Sequence, residues 1–128
     1  MSRILVVDDD EMIRLLLRRI LEKAGHEVCD AQNGRAAMQI YSEHKPDCVI
    51  TDLIMPEQEG IETIQQMRQH LHAAPIIATS GQSSLMAAHY LKIARALGAD
   101  AILEKPFSIE QILELVTRLL AKDPATSA

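Results

Sequence analysis

The chain has 128 residues, 48% of them hydrophobic and 24% charged, with a formal net charge of −5. That length fits one domain, expected over residues 1–128 with a core from about 3 to 121, and needs no disulfide or metal staple to fold. The acidic balance argues against a bare nucleic-acid binder, and no apolar run has the form of a membrane span or a signal peptide; a reducing, cytoplasmic setting is expected from Cys29 and Cys48, which read as free thiols.

The predicted elements alternate between strand and helix. Ile4 to Val7 is a short apolar run suited to a strand buried on both faces. A helix follows, with Ile13, Leu16, Leu17, Ile20 and Ala24 as its apolar stripe and Arg14, Arg18 and Glu22 opposite. Asp10 is placed to cap it, Glu11 favours its positive end, and Gly25 stops it. Glu27 to Ala31 reads as a second strand, Asn33-Gly34 as turn and cap, and Arg35 to Glu43 as a second helix. Pro46 precedes a third strand, Asp47 to Thr51, and Gly60 to His70 is helical. Pro75 precedes a fourth strand, Ile76 to Thr79. Leu85 to Leu97 is a fourth helix stopped by Gly98, and Ala101 to Glu104 a fifth strand. Ser108 caps the last helix with Gln111 completing a capping box. Ile109, Ile112, Leu113, Val116 and Leu119 or Leu120 are expected to face inward. The small, polar tail from Lys122 to Ala128 is expected to fray.

Tyr41, Tyr90 and Phe107 are the only aromatic residues, so the core is expected to be aliphatic. Cys29 and Cys48 lie in strand-like segments without CxxC spacing and read as buried small hydrophobes. Met12, Met38, Met67 and Met86 fall at helical spacings that suit core filler. His70 and His72 lack the further ligands zinc needs and read as exposed loop residues. Arg14, Arg18 and Arg19 read as a solvated helix face that a partner could also dock on.

Five strand-then-helix units argue for a parallel sheet covered by helices on both faces. All segments that follow a strand then reach one edge of the sheet, where such folds bind ligands. Asp8, Asp9 and Asp10 follow the first strand, Asp52 the third, Thr79-Ser80-Gly81 the fourth, and Lys105-Pro106 the fifth. Three ionised carboxylates against one ammonium leave an excess of two negative charges among Asp8, Asp9, Asp52 and Lys105. Two like charges about 4 Å apart cost roughly 4 kcal/mol at an effective dielectric of ~20, so either a carboxylate takes up a proton or a divalent cation enters. An oxygen-only ligand set suits Mg²⁺. A carboxylate beside Mg²⁺ and a lysine can attack phosphorus, because both cations remove the repulsion of the incoming phosphoryl oxygens.

The runs Ile4-Leu5-Val6-Val7-Asp8-Asp9-Asp10, Asp52-Leu53-Ile54-Met55-Pro56 with Gly60, Pro75-Ile76-Ile77-Ala78-Thr79-Ser80-Gly81 and Leu103-Glu104-Lys105-Pro106-Phe107 together resemble the response-regulator receiver domain of bacterial two-component systems. The resemblance covers roughly Arg3 to Ala121. It implies a doubly wound, flavodoxin-like (βα)5 fold of three α/β/α layers, with a five-stranded parallel sheet in the order 2-1-3-4-5. It implies Asp52 as phosphoacceptor, Asp9 as a direct Mg²⁺ ligand, Asp8 as the acid orienting the metal, and the Ile54 backbone carbonyl as a further ligand. Ser80 matches the switch hydroxyl, with Thr79 left to the strand. Lys105 matches the phosphate-pairing lysine, followed by a cis bond to Pro106. The donor implied is a phosphohistidine on a sensor histidine kinase or histidine phosphotransfer protein. The output surface implied is helix four, strand five and helix five, and no turnover activity is expected.

Two departures stand out. Ile102 occupies a place where the family often has an aromatic switch residue, so a ring rotation is not available there. The stretch from Ser80 to Lys105 is slightly long, which puts the Gln82-Ser83-Ser84 loop and helix four in question. Ile54 and Gln82, each two residues past a site residue, are expected to tune the lifetime of the phosphoryl group. A phosphorylation-independent interaction module is the alternative reading. A phosphohydrolase ranks last, since Ile54 stands where its general acid would be. No DNA-binding or enzymatic output domain is expected within these residues, which suit either a stand-alone receiver acting through protein contacts or a fragment of a longer regulator.

Overall fold

The computed structural model describes residues 2–53, 60–70, 73–80, 92–96 and 98–121. Five strands, β1 (Arg3–Val7), β2 (Glu27–Ala31), β3 (Cys48–Asp52), β4 (Ile76–Ser80) and β5 (Ala101–Glu104), form one sheet in the order β2-β1-β3-β4-β5. Every pairing is parallel. The helices are α1 (Glu11–Lys23), α2 (Gly34–His44), α3 (Gly60–Gln69), the helical residues 92–96 of α4, and α5 (Ile109–Leu120). The rest of the predicted fourth helix, the tail from Lys122, and Met86, His72 and the Gln82-Ser83-Ser84 loop lie outside the described residues.

Alternation along the strands divides the core between the two sheet faces. Leu5, Val7, Val49 and Ile76 pack with Tyr41, Ile64, Met67 and Ala94 on the α2, α3 and α4 side. Ile4, Val6, Ile50 and Ile77 pack with Leu17, Leu21, Ile112 and Val116 on the α1 and α5 side. Central strands β3 and β4 are buried at every position, as helices on both faces of a parallel sheet require. Local chemistry sets the helix ends. Asp10 accepts from Met12 N, Asn33 accepts from Ala36 N, and Ser108 and Gln111 make a reciprocal capping box. Such caps contribute about 1 kcal/mol each. Gly98, at φ 122°, follows α4 in a conformation that side chains disfavour, and its carbonyl accepts from Arg68 Nε at 2.8 Å.

Several expectations are corrected. The buried stripe of α1 runs through Leu17 and Leu21 with Ile13 and Ile20 beside them, while Leu16 is 48% exposed and Ala24 lies outside. Positions 13, 17, 20 and 21 share one face at 3.6 residues per turn and 16 falls off its edge, while Ala24 is the C-cap, past the last turn of the helix. Met12 is 70% exposed because it lies round the helix from the Leu17–Leu21 stripe, and Ile109 is 54% exposed because it opens α5. Arg14 and Arg18 are not a solvated face: Arg14 Nε lies 3.0 Å and Arg18 Nη2 2.8 Å from the Asp30 carboxylate on β2. Arg18 Nη1 also donates to the Val28 carbonyl at 3.1 Å, covering part of the β2 edge. His70 packs edge-on against the Tyr41 ring, with centroids 5.5 Å apart, instead of projecting from a loop. Cys48 is buried but Cys29 only partly so. β3 starts and ends one residue later than expected, and β4 continues through Ser80.

Candidate functional site

The strand pairing builds the site. Val7 of β1 pairs with Thr51 of β3, so the next residues, Asp8 and Asp52, leave the sheet side by side. Ser80 pairs with Glu104, and Lys105 N donates to the Ser80 carbonyl at 2.9 Å, which brings the fifth strand end alongside. One carboxylate oxygen from each of Asp8, Asp9 and Asp52 lies within 4.8 Å of the others. Asp8 is 2% and Asp52 6% exposed, whereas Asp9 faces solvent.

Asp8 is held on every side. Its N–H donates to the Ala31 carbonyl at 3.1 Å, and its carbonyl accepts from Arg14 Nη1 at 2.8 Å. Its Oδ1 accepts from Asp10 N at 2.9 Å, and its Oδ2 accepts from Lys105 Nζ at 2.7 Å. Lys105 Nζ stands 3.8 Å from Asp52 Oδ2, so the ammonium is shared unequally between two carboxylates. The Lys105–Pro106 peptide bond is cis. Ser80 is fully buried, and its Oγ has no hydrogen-bond partner among the described residues. The Ile54 carbonyl and Gln82, both expected at this edge, lie outside the described residues.

This donor set fits a hard divalent cation. Three carboxylates within one ligand shell, with a single ammonium to offset them, carry the charge and the oxygen chemistry that Mg²⁺ takes. Asp10 is occupied as the α1 cap and does not join the cluster. Ile102 pairs with Ala78 and packs partly against the α2–α3 core, lining a surface hollow with Leu103, Gln111, Glu114 and Leu115.

Sequence reasoning missed the role of Arg14. The signal was an arginine one turn past a helix cap together with an acid near the end of the neighbouring strand. Burial alone would raise the Asp30 pKa, but hydrogen bonds from Arg18 and Arg14 prevail and hold it below the ordinary aspartate value. Its partner Arg18 is raised in turn, chiefly by the Asp30 hydrogen bond.

The model of the response regulator receiver domain family matches residues 4–117 of this chain. The chain belongs to this family. The receiver domain is 38% identical over 121 residues to chemotaxis protein CheY of Bacillus subtilis, covering 92% of this chain and 97% of that protein. It is 37% identical over 121 residues to response regulator MprA of Mycolicibacterium vanbaalenii, covering 94% of this chain and 51% of that protein, so it spans about half of that relative. The solved structure of chemotaxis protein CheY4 from Vibrio cholerae matches with a TM-score of 0.84 at 30% identity, over 93% of this chain and 98% of that one. The receiver fold is thus the flavodoxin-like, doubly wound arrangement, with its topological switch point between β1 and β3. Asp8 and Asp52 flank that point.

Proposed function

We propose that this receiver domain is a phosphorylation switch of a two-component phosphorelay, with Asp52 as the phosphoacceptor and Mg²⁺ as its cofactor. The observation that carries the reading is the gathering of the Asp8, Asp9 and Asp52 carboxylates within 4.8 Å beside the Lys105 ammonium. Asp8, Asp9, Asp52 and the Ile54 carbonyl would hold the metal. Bound there, Mg²⁺ supplies positive charge to the oxygens of the transferring phosphoryl group.

The chain's own residues do the rest. An Asp52 carboxylate oxygen bonds to phosphorus as the phosphorus–nitrogen bond to the donor histidine breaks, leaving an acyl phosphate on Asp52. Lys105 moves from Asp8 toward a new phosphoryl oxygen, and the Ser80 hydroxyl donates to another. A shift of a two-state equilibrium from 1:99 to 99:1 needs about 5.5 kcal/mol of differential stabilisation. Two charge-assisted hydrogen bonds at roughly 1.5–3 kcal/mol each approach that amount. The population shift then alters the α4, β5 and α5 surface for a downstream protein. The donor is a sensor histidine kinase or a histidine phosphotransfer protein, and the domain is a signalling module in the cytoplasm with no independent turnover.

Incubation with acetyl phosphate and Mg²⁺, followed by mass spectrometry, tests this. An acid-labile phosphoryl adduct on Asp52, lost with a chelator and in Asp52→Asn, is expected. An unmodified Asp52 under these conditions would reject the reading in favour of an interaction module that works without phosphate.

A further inference from the structure

Arg14 sits one turn into α1, and only 15% of its side chain is exposed. Its guanidinium spans two elements. Nε lies 3.0 Å from Asp30 Oδ2 on β2, and Nη1 donates to the Asp8 carbonyl at 2.8 Å. That carbonyl belongs to the peptide joining Asp8 to Asp9. The neighbouring peptide on the other side of Asp8 is anchored too, its N–H donating to the Ala31 carbonyl at 3.1 Å. Movement of the Asp8–Asp9 peptide would shift the backbone that carries both carboxylates; Asp10 N and Lys105 hold the Asp8 carboxylate itself, and Arg14 holds the peptide carbonyl.

Asp30 is itself immobilised. Its Oδ1 accepts from Arg18 Nη2 at 2.8 Å, leaving Oδ2 for Arg14. A charged hydrogen bond to a neutral carbonyl is among the stronger ones available, and a planar guanidinium can serve two acceptors in fixed geometry where an ammonium cannot.

We infer that Arg14 is a positioning residue for the cation site: buttressed by Asp30, it fixes the Asp8–Asp9 peptide so that both carboxylates face the metal. This rests on the reading of that site as a Mg²⁺ site. Partners one bond removed from metal ligands commonly change metal affinity by about 10–100-fold when removed. The sign of the effect separates positioning from charge. A nearby guanidinium repels a cation, so its loss would tighten Mg²⁺ binding if charge were all that mattered. Positioning requires the opposite.

The test is a Mg²⁺ titration of the full chain, read from backbone amide NMR shifts, for the wild type and for Arg14→Met, Arg14→Lys and Arg18→Ala. Arg14→Met keeps the aliphatic packing and removes the donors. An affinity loss of about tenfold or more is expected, with partial recovery in Arg14→Lys and faster hydrogen exchange at the Asp10 amide, which donates to Asp8 Oδ1. Arg18→Ala, which leaves the Asp8 carbonyl bond in place and loosens Asp30 alone, is expected to lose less than Arg14→Met, about threefold at most. Wild-type or tighter binding by Arg14→Met overturns the inference, and so does an equal loss in Arg18→Ala. Should Arg14→Met not fold, Arg14→Gln takes its place: a loss of about threefold or more supports the inference and wild-type or tighter binding overturns it. If the wild type itself gives no Mg²⁺ response, the reading of the site fails and this inference falls with it.

Discussion

Lys105 Nζ donates to Asp8 Oδ2 at 2.7 Å, across 97 residues of chain, while standing 3.8 Å from Asp52 Oδ2. The lysine that family resemblance assigns to the phosphate is thus already engaged, offsetting a buried carboxylate. Lys105→Met strands that carboxylate in an acidic cluster. The expected cost is about 2 kcal/mol in the absence of divalent cations, the size of a hydrogen bond between charged groups. Excess Mg²⁺ replaces the missing charge, so it should raise the urea midpoint of Lys105→Met more than that of the wild type. Equal increments would show that the ammonium and the cation do not serve the same carboxylates.

Ser80 carries a second, independent expectation. Its buried Oγ has no partner among the described residues, a situation that costs free energy instead of contributing it. Ser80→Ala should therefore leave stability unchanged or raise it by up to about 1 kcal/mol in urea denaturation. Under the proposed mechanism, Asp52 is still labelled by acetyl phosphate in this variant. The amide shifts that labelling induces in β5 and α5 should shrink, and shifts of full size would exclude Ser80 from the switch.

Asp30 gives the domain an acid-side dependence. Its folded pKa lies below the ordinary value of about 3.9, so between the two values the unfolded chain binds a proton that the folded one does not. The contribution is fully present above the unfolded pKa. It is lost as pH falls through that value and on through the folded one. In urea melts from pH 6 down to 3, wild type should lose more stability than Asp30→Asn, the two curves converging as the pH falls. Parallel curves over that range would remove Asp30 from the acid response.

The two thiols should differ in reactivity. Burial pushes the Cys48 thiol up to about 12 and also raises Cys29, though Cys29 remains partly accessible. At pH 8, iodoacetamide with intact-mass readout should give at most one adduct in the folded protein, slowly and at Cys29. Denaturant should bring the count to two. Modification of Cys48 without unfolding would contradict the buried position on β3.

Much of this architecture was legible along the chain. The runs at Ile4–Val7 and Ile76–Thr79 announce strands, and Asp10, Asn33 and Ser108 announce helix starts, because backbone burial and capping are local matters. Leu16 and Leu21 were not assigned correctly. A stripe read from spacing alone fixes a helix face only to within a residue or so, and contact with the sheet selects which residue turns inward. Arg14 and Arg18 misled for a related reason: a charged side chain opposite the apolar stripe looks solvated until a neighbouring strand presents an acid to it.

The order of the segments determined by itself that Asp8, Asp9, Asp52, Ser80 and Lys105 emerge at one edge, since parallel strands joined by helices must all end on the same side. Which of those groups touch was decided only by the folded sheet. The pairing of Val7 with Thr51 and of Ser80 with Glu104 sets the side-by-side placement that lets Lys105 reach Asp8 ahead of Asp52. A difference of about 1 Å in reach depends on strand register and twist, properties of chains packed against one another that no single segment encodes.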